Sequence, residues 1–192
     1  NDTIDGGSGW DYLSFDEWTD VNQGIEVDLS GNTVSNDGFG NQDQVFNIET
    51  VAGSVFNDQI TGDSNNNHLQ GRDGNDTLTS IGGDDYLQGG NGDDTLVVLA
   101  GTGHASLQGG SGDDSFTLSD GRNINIDDFS AGAGSEDVID LSAVTSLADF
   151  TAVQAAASDD GSGNTNIDLG GGFNLHLSGV SSASLHGDEF LF

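Results

Sequence analysis

Cysteine, proline and methionine are absent from this 192-residue chain, and Lys and Arg together number only 2. Without cysteine there is no disulfide framework, no thiolate zinc site and no cysteine nucleophile. Without clustered basic residues the chain has no charge with which to grip a nucleic-acid backbone or an anionic membrane surface. No apolar run approaches the ~18 residues that a transmembrane helix needs, and no basic-plus-apolar leader stands at the N-terminus. What the chain has in excess is acid and glycine: 33 Asp and Glu, a formal charge of −31, and 31 glycines. Only 33% of residues are hydrophobic. High charge with low hydrophobicity describes a chain that stays unfolded unless something positive neutralises it. The order of the residues decides between those outcomes.

That order is periodic. In steps of nine from Gly53 the chain reads GSVFNDQIT, GDSNNNHLQ, GRDGNDTLT, SIGGDDYLQ and GGNGDDTLV. Val98 and Leu99 interrupt the array, which resumes as AGTGHASLQ (100–108) and GGSGDDSFT (109–117). Near the N-terminus, NDTID (1–5) is the tail of one nonad and GGSGWDYLS (6–14) a complete one. The consensus is G-G-x-G-x-D-x-U-x, with U a large apolar residue. The eighth position carries Ile4, Leu13, Ile60, Leu69, Leu78, Leu87, Leu96, Leu107 and Phe116. The sixth carries Asp2, Asp11, Asp58, Asn67, Asp76, Asp85, Asp94, Ala105 and Asp114. Acids that recur at one phase of a nine-residue period, beside glycines, are not a random solvated face.

The last three residues of each nonad, x-U-x, have the form of a short strand whose apolar centre points inward while its neighbours point out. The glycines suit loops that need positive φ or close backbone approach.

This array resembles the calcium-binding nonapeptide of the RTX (repeats-in-toxin) proteins. The resemblance implies an all-β fold, a right-handed parallel β-roll in which each nonad makes half a turn and calcium lies in the turns. Calcium takes 6–8 oxygen ligands at ~2.3–2.6 Å. The family's ligand geometry implies that one turn supplies half the shell, from carbonyls and the Asp carboxylate, and the turn one coil later supplies the rest. The implied ligands are Asp2, Asp11, Asp43, Asp58, Asn67, Asp76, Asp85, Asp94 and Asp114, with Gly71, Asp73, Gly74, Gly82, Gly89, Asn91, Gly92, Gly109 and Ser111 in the same loops.

The spacing also predicts a register. Loops starting at 53, 71, 89 and 109 share one edge, stacking Asp58, Asp76, Asp94 and Asp114, with three ions between them. Loops starting at 62, 80 and 100 share the other, where Ala105 removes both charge and oxygen and leaves the 85/105 site empty or weak. The two-residue insertion should bulge outward without breaking the stack.

Residues 15–52 depart from the nonad. GIEVDLS (24–30) reads as a strand, GFGNQDQVF (38–46) fits the repeat loosely and places Asp43 on an edge with Asp58, and NIETVA (47–52) is a shortened half-turn with Ile48 and Val51 inward. Trp10, Tyr12, Phe15 and Trp18 cluster here; they are expected to pack against the first coils, with a carbohydrate platform as the alternative.

After Thr117 the period ends. INIDDF (124–129) and DVIDLS (137–142) are strand-like, SLADFTAVQAAA (146–157) is the one helix, with Ser146 as its N-cap and Asp149 three residues on, and TNIDLGGGFNLHLSG (165–179) is a β-hairpin. The expected organisation is a roll over 1–120, with irregular coils at 15–52 and regular nonads at 53–117. Antiparallel strands and a short helix over 121–192 cap its open end. The terminal DEFLF also resembles the end of RTX exoproteins, where this region is an uncleaved type I secretion signal.

No catalytic constellation stands out. His68, His104, His176 and His186 lack metal-ligand spacing, no G-x-S-x-G occurs, and the glycine-rich loops lack a phosphate-binding Lys. The expected function is therefore non-catalytic: a secreted module that folds when calcium binds outside the cell, aids type I secretion and stabilises an attached enzyme or adhesin. Because the chain begins mid-nonad, an N-terminal catalytic or adhesive domain is expected in the same protein. A polysaccharide-binding module, with Trp10 and Trp18 as the platform, is the second reading. Ice binding is disfavoured because the third loop position shows no regular row of Thr.

Overall fold

The computed structural model describes residues 1–15, 23–132 and 137–192. In chain order the strands begin with β1 (Thr3–Asp5), β2 (Tyr12–Ser14), β3 (Glu26–Asp28), β4 (Thr33–Asn36), β5 (Asp43–Phe46) and β6 (Thr50–Ala52). The regular repeats contribute β7 (Gln59–Thr61), β8 (His68–Asp73), β9 (Thr77–Ser80), β10 (Asp85–Asn91), β11 (Thr95–Val98), β12 (His104–Ser111) and β13 (Ser115–Ser119). There follow β14 (Asn123–Ile126), β15 (Val138–Ala143) and the helix α1 (Phe150–Ala156). The chain closes with β16 (Ala157–Asp159), β17 (Thr165–Gly170), β18 (Phe173–Leu177) and β19 (Phe190–Leu191).

From β5 to β15 successive strands alternate between two sheets, which makes each pair of nonads one full coil. One sheet has the order β1-β5-β4-β3-β7-β9-β11-β13-β15-β19, the other β16-β17-β18-β14-β12-β10-β8-β6-β2. Through the repeats every pairing is parallel and in register: Ile60 beside Leu78, Leu78 beside Leu96, Leu69 beside Leu87, Leu87 beside Leu107. The reason is the x-U-x triplet. Its apolar centre faces inward and its neighbours face out, so a slip by one residue would turn the whole apolar row to solvent. These leucines are fully buried and face one another across a core two rows wide.

The outward positions pair along the stack as well. The Gln70 Nε2 donates to Gln88 Oε1 at 3.2 Å and the Gln88 Nε2 to Gln108 Oε1 at 3.0 Å, an amide ladder of the kind in-register parallel strands permit.

The insertion at Val98 and Leu99 leaves the stack whole. Leu96 pairs with Leu78 on one side and Phe116 on the other, so the extra residues fall in the following loop. Only half of the pair bulges: Leu99 is exposed, whereas Val98 ends β11 and is fully buried.

Two expectations need correction. First, β3 and β4 form an antiparallel hairpin wedged between β5 and β7. Asp43, on β5, is therefore separated from the rung of Asp58 by two intervening strands and is not stacked next to it. Second, the helix begins later than its sequence signal. Its N-cap is Asp149, whose side chain accepts from the Ala152 N–H at 2.9 Å. Ser146 lies outside the helix, and its Oγ donates to the Leu169 carbonyl at 2.5 Å.

The parallel ladder continues beyond the repeats. β14 pairs with β12, β15 with β13, and β19 with β15, all parallel. The hairpin β17–β18 is antiparallel, as its sequence indicates, and joins the second sheet through β18 against β14. Phe190 is buried against Phe150, with ring centroids 5.7 Å apart, while Phe192 is exposed. Among the described residues no helix is long and apolar enough to cross a membrane.

Candidate metal centre

The turns leading from the second sheet to the first lie along one edge of the roll. Here the sixth-position aspartates form a hydrogen-bonded column. The N–H of Asp58 donates to Asp76 Oδ1 at 2.8 Å, that of Asp76 to Asp94 Oδ1 at 2.8 Å, and that of Asp94 to Asp114 Oδ1 at 2.9 Å. All four side chains are buried. Each carboxylate thus spends one oxygen on the coil before it.

The other oxygen is the telling one. Oδ2 of Asp76 and Oδ2 of Asp94 are buried without a hydrogen-bond partner. A buried, unpaired carboxylate oxygen is costly unless a cation or a proton meets it. At these turns the carboxylate and carbonyl oxygens close in so tightly on the first glycine that no side chain fits. A Cβ on Gly71 would stand 2.1 Å from Asp76 Oδ2 and 2.7 Å from the Gly89 carbonyl, and one on Gly89 would stand 2.2 Å from Asp94 Oδ2 and 2.5 Å from the Gly109 carbonyl. On Gly109 it would lie 2.2 Å from Asp114 Oδ2. These are cradles bounded by carboxylate and carbonyl oxygens from adjacent coils, a hard, all-oxygen donor set suited to calcium. Among the described residues no three His, Asp or Glu side chains converge as a metal-binding group. The oxygens come mostly from the backbone, with one carboxylate per turn.

The electrostatics agree. Burial, helped by repulsion from Asp58, Asp94 and Asp73, pushes Asp76 up to about 8. Burial and the charges of Asp114 and Asp93 push Asp94 up to about 7. Asp114 rises to about 6, again through burial and then its acidic neighbours Asp137, Asp128 and Asp93. Asp58 is raised by burial, but its carboxylate is answered by Ser54, whose N–H and Oγ donate at 2.6 and 2.8 Å.

Asp73, Asn91 and Ser111 stack on the exposed rim, where Asn91 Nδ2 donates to Asp73 Oδ1 at 2.7 Å and Ser111 Oγ to Asn91 Oδ1 at 2.8 Å. Gly74 and Gly92 adopt φ of 116° and 123°. Asp2 and Asp43 repeat the column's rung in isolation, the Asp2 N–H donating to Asp43 Oδ1 at 2.6 Å.

The opposite edge differs. The Asp11 N–H donates to Glu49 Oε2 at 2.8 Å, and Asp11 Oδ2 is buried and unpartnered. The Asn67 N–H donates to Asp85 Oδ1 at 2.9 Å. Gly82 is buried but lies 3.8 Å or more from any atom a Cβ would meet, so it forms no such cradle. Asp85 is paired with Arg122, Oδ2 to Nη2 at 3.3 Å.

Sequence reasoning missed three residues here. Asp137 ends the column by accepting the Asp114 N–H at 3.1 Å and, through Oδ2, the Ser130 N–H at 2.8 Å. Asp128 accepts the N–H groups of Gly109 and Gly110 at 3.0 and 2.9 Å. Both stand outside the nine-residue period, which is why the period does not reveal them. Arg122 is one of only two basic residues in the chain, and nothing in the repeat pattern marks its position.

Of the aromatic cluster, Phe15 packs in the core as expected, whereas Trp10 and Tyr12 are 60% and 54% exposed. Trp18 lies outside the described residues.

Comparison with known proteins places these turns in a family. The RTX calcium-binding nonapeptide repeat matches in four copies, over residues 1–17, 47–78, 82–105 and 99–124. A search of curated proteins returned no match. Among solved structures, the extracellular lipase LipA from Serratia marcescens is similar at 18% identity, over 99% of this chain and 34% of that chain, with a TM-score of 0.34. The chain spans about a third of that lipase's length. With four copies of the repeat carried on one parallel roll, the chain belongs to the RTX calcium-binding nonapeptide-repeat proteins.

Proposed function

We propose that this module folds on binding several calcium ions outside the cell. The ions lie between successive turns of the 53–114 edge, held by Asp58, Asp76, Asp94 and Asp114 together with oxygens of Gly71, Asp73, Gly74, Gly89, Asn91, Gly92, Gly109 and Ser111. Asp2 with Asp43, and on the other edge Asp11 and Asn67 each by itself, are weaker candidates, since they stand apart from the main column. The observation that carries this reading is the pair of buried, unpartnered Oδ2 atoms on Asp76 and Asp94. Calcium supplies the charge that a −31 chain lacks.

The biological role follows from that energetics. In a calcium-poor cytosol self-repulsion and chain entropy keep the chain extended, a state suited to a narrow type I secretion channel. Outside, at ~10⁻³ M calcium and with site affinities of ~10⁻⁴–10⁻³ M for extracellular modules, metal binding becomes folding free energy. The folded roll, continued by residues 121–192, then stabilises an enzyme or adhesin attached in the same protein. The catalytic chemistry belongs to that partner and not to this chain. Circular dichroism during a calcium titration tests the reading. A coil spectrum in EDTA that converts cooperatively to β-structure near millimolar calcium supports it, and a metal-stripped chain whose spectrum ignores calcium overturns it.

A second reading, polysaccharide binding, has one observation in its favour. The exposed Trp10 borders a groove with His68, Tyr86 and His104. Glycan binding by the calcium-loaded chain that disappears in Trp10→Ala is the result that would promote it.

A further inference from the structure

The second edge of the roll contains a cation of its own. Arg122 is fully buried. Its Nη2 donates to the Gly83 carbonyl at 2.6 Å and the His104 carbonyl at 3.2 Å, and lies 3.3 Å from Asp85 Oδ2. Its Nη1 donates to Ser80 Oγ at 2.5 Å, and that hydroxyl donates to Asp85 Oδ2. The guanidinium is thus held by two main-chain carbonyls, one hydroxyl and one carboxylate. These oxygens come from two turns one coil apart, 80–85 and 100–105. An ordinary ion pair would need only Asp85. Bridging carbonyls of successive turns is what a hard cation does between stacked loops.

The sequence of this edge fits. The sixth position of the 100–108 nonad is Ala105, so that position contributes no second carboxylate. Ala105 pairs with Asp85 on one side and Ile124 on the other, so an acid there would meet the same space. One positive charge facing one carboxylate is balanced. A divalent ion facing the same single carboxylate is not.

We infer that the Arg122 guanidinium stands in for a calcium ion between turns 80–85 and 100–105, so that this part of the second edge closes without metal while the 53–114 edge requires it. The inference rests on the calcium reading proposed above. It makes the roll a mixed device, with one turn pair fastened by a permanent cation and the facing column fastened by an exchangeable one.

Calcium counting on the full chain tests it. The double variant Ala105→Asp, Arg122→Ala removes the internal cation and restores the missing carboxylate. We expect it to bind one more calcium per chain than the wild type, by equilibrium dialysis with elemental analysis. Arg122→Lys keeps a positive charge at the site and is expected to keep the wild-type count. A double variant that folds with the wild-type count overturns the inference. Should the double variant not fold at any calcium concentration, the calcium-loaded wild-type crystal decides. Anomalous scattering should show no metal ligated by Asp85, and a calcium there overturns the inference while leaving the proposed function intact. A wild-type chain that binds no calcium at all defeats the proposed function itself, and the inference with it.

Discussion

The backbone N–H of Asp76 donates to Oδ1 of Asp94 at 2.8 Å, one full coil away. The return bond runs the other way, from the Asp93 N–H to Oδ1 of Asn75 at 3.1 Å. Neighbouring turns of this edge are therefore sewn together in both directions by residues five and six of their nonads. The sixth-position carboxylate has two separable jobs: Oδ1 holds the preceding turn, and Oδ2 faces the cradle.

Substitution at Asp94 separates those jobs. Asp94→Asn keeps an oxygen that can accept the Asp76 N–H but removes the charge. It is expected to fold, with its calcium midpoint moved to higher concentration. Asp94→Ala also orphans the Asp76 N–H, and at saturating calcium it should lose a further ~1–3 kcal/mol of stability, the range for leaving a buried donor unmet. Calcium titrations by circular dichroism, followed by urea unfolding at saturating calcium, measure the two effects. Equal behaviour of the two variants would show that the rung contributes nothing.

Acid should replace calcium in part. The folded-state values of Asp76, Asp94 and Asp114 are raised from 3.8 to about 8, 7 and 6. The folded chain without metal therefore binds more protons than the unfolded chain between those limits. Stability from these groups is fully present below pH ~4 and is lost as pH rises through 6 to 8. In EDTA, far-UV circular dichroism should show β-structure appearing on acidification. With calcium present the dependence reverses, because protons compete with the metal for the same oxygens. A metal-free chain equally unfolded at pH 4.5 and pH 8 would contradict the burial of these carboxylates.

Two glycines with positive φ distinguish strain from crowding. Gly92 has φ of 123°, and a Cβ there would sit 2.2 Å from the Gly74 carbonyl of the coil below. Gly163 has φ of 91° with nothing within 4 Å of that position. Gly163→Ala should cost only the left-handed backbone penalty of ~1–2 kcal/mol. Gly92→Ala pays that penalty and pushes two coils apart, so its thermal midpoint at saturating calcium should fall well below that of Gly163→Ala.

The nine-residue period made the central roll legible. One apolar residue per nonad set the inward rows of Leu69, Leu78, Leu87 and Leu96, and one Asp per nonad set the column at Asp58, Asp76, Asp94 and Asp114. Legibility stopped where spacing stopped being local. The β3–β4 hairpin separates Asp43 from Asp58 because it inserts two antiparallel strands, and alternating apolar residues look the same in either direction. Ser146 has the chemistry of an N-cap, but a tertiary partner, the Leu169 carbonyl, takes its hydroxyl and leaves the cap to Asp149. Arg122 reads from sequence as one isolated charge. Its role comes from carbonyls of Gly83 and His104, which no side-chain pattern records.

Asp137 offers a test of where the column ends. It lies 23 residues after Asp114 instead of 18 or 20, yet its Oδ1 accepts the Asp114 N–H as the repeat aspartates do for their neighbours. Its Oδ2 accepts the Ser130 N–H and so ties the segment after β14 to the last regular turn. Asp137→Ala removes both acceptors at once. Local opening free energies differ along a structure in proportion to such fastenings, so the damage should be graded and not global. Hydrogen exchange on the calcium-loaded variant should show faster exchange at the amides of Asp114 and Ser130, with the Asp58 amide, three rungs away, as slow as in the wild type. Uniform acceleration along the whole column would mean that the roll opens as a single unit, and that Asp137 is a clamp for the entire stack instead of its final rung.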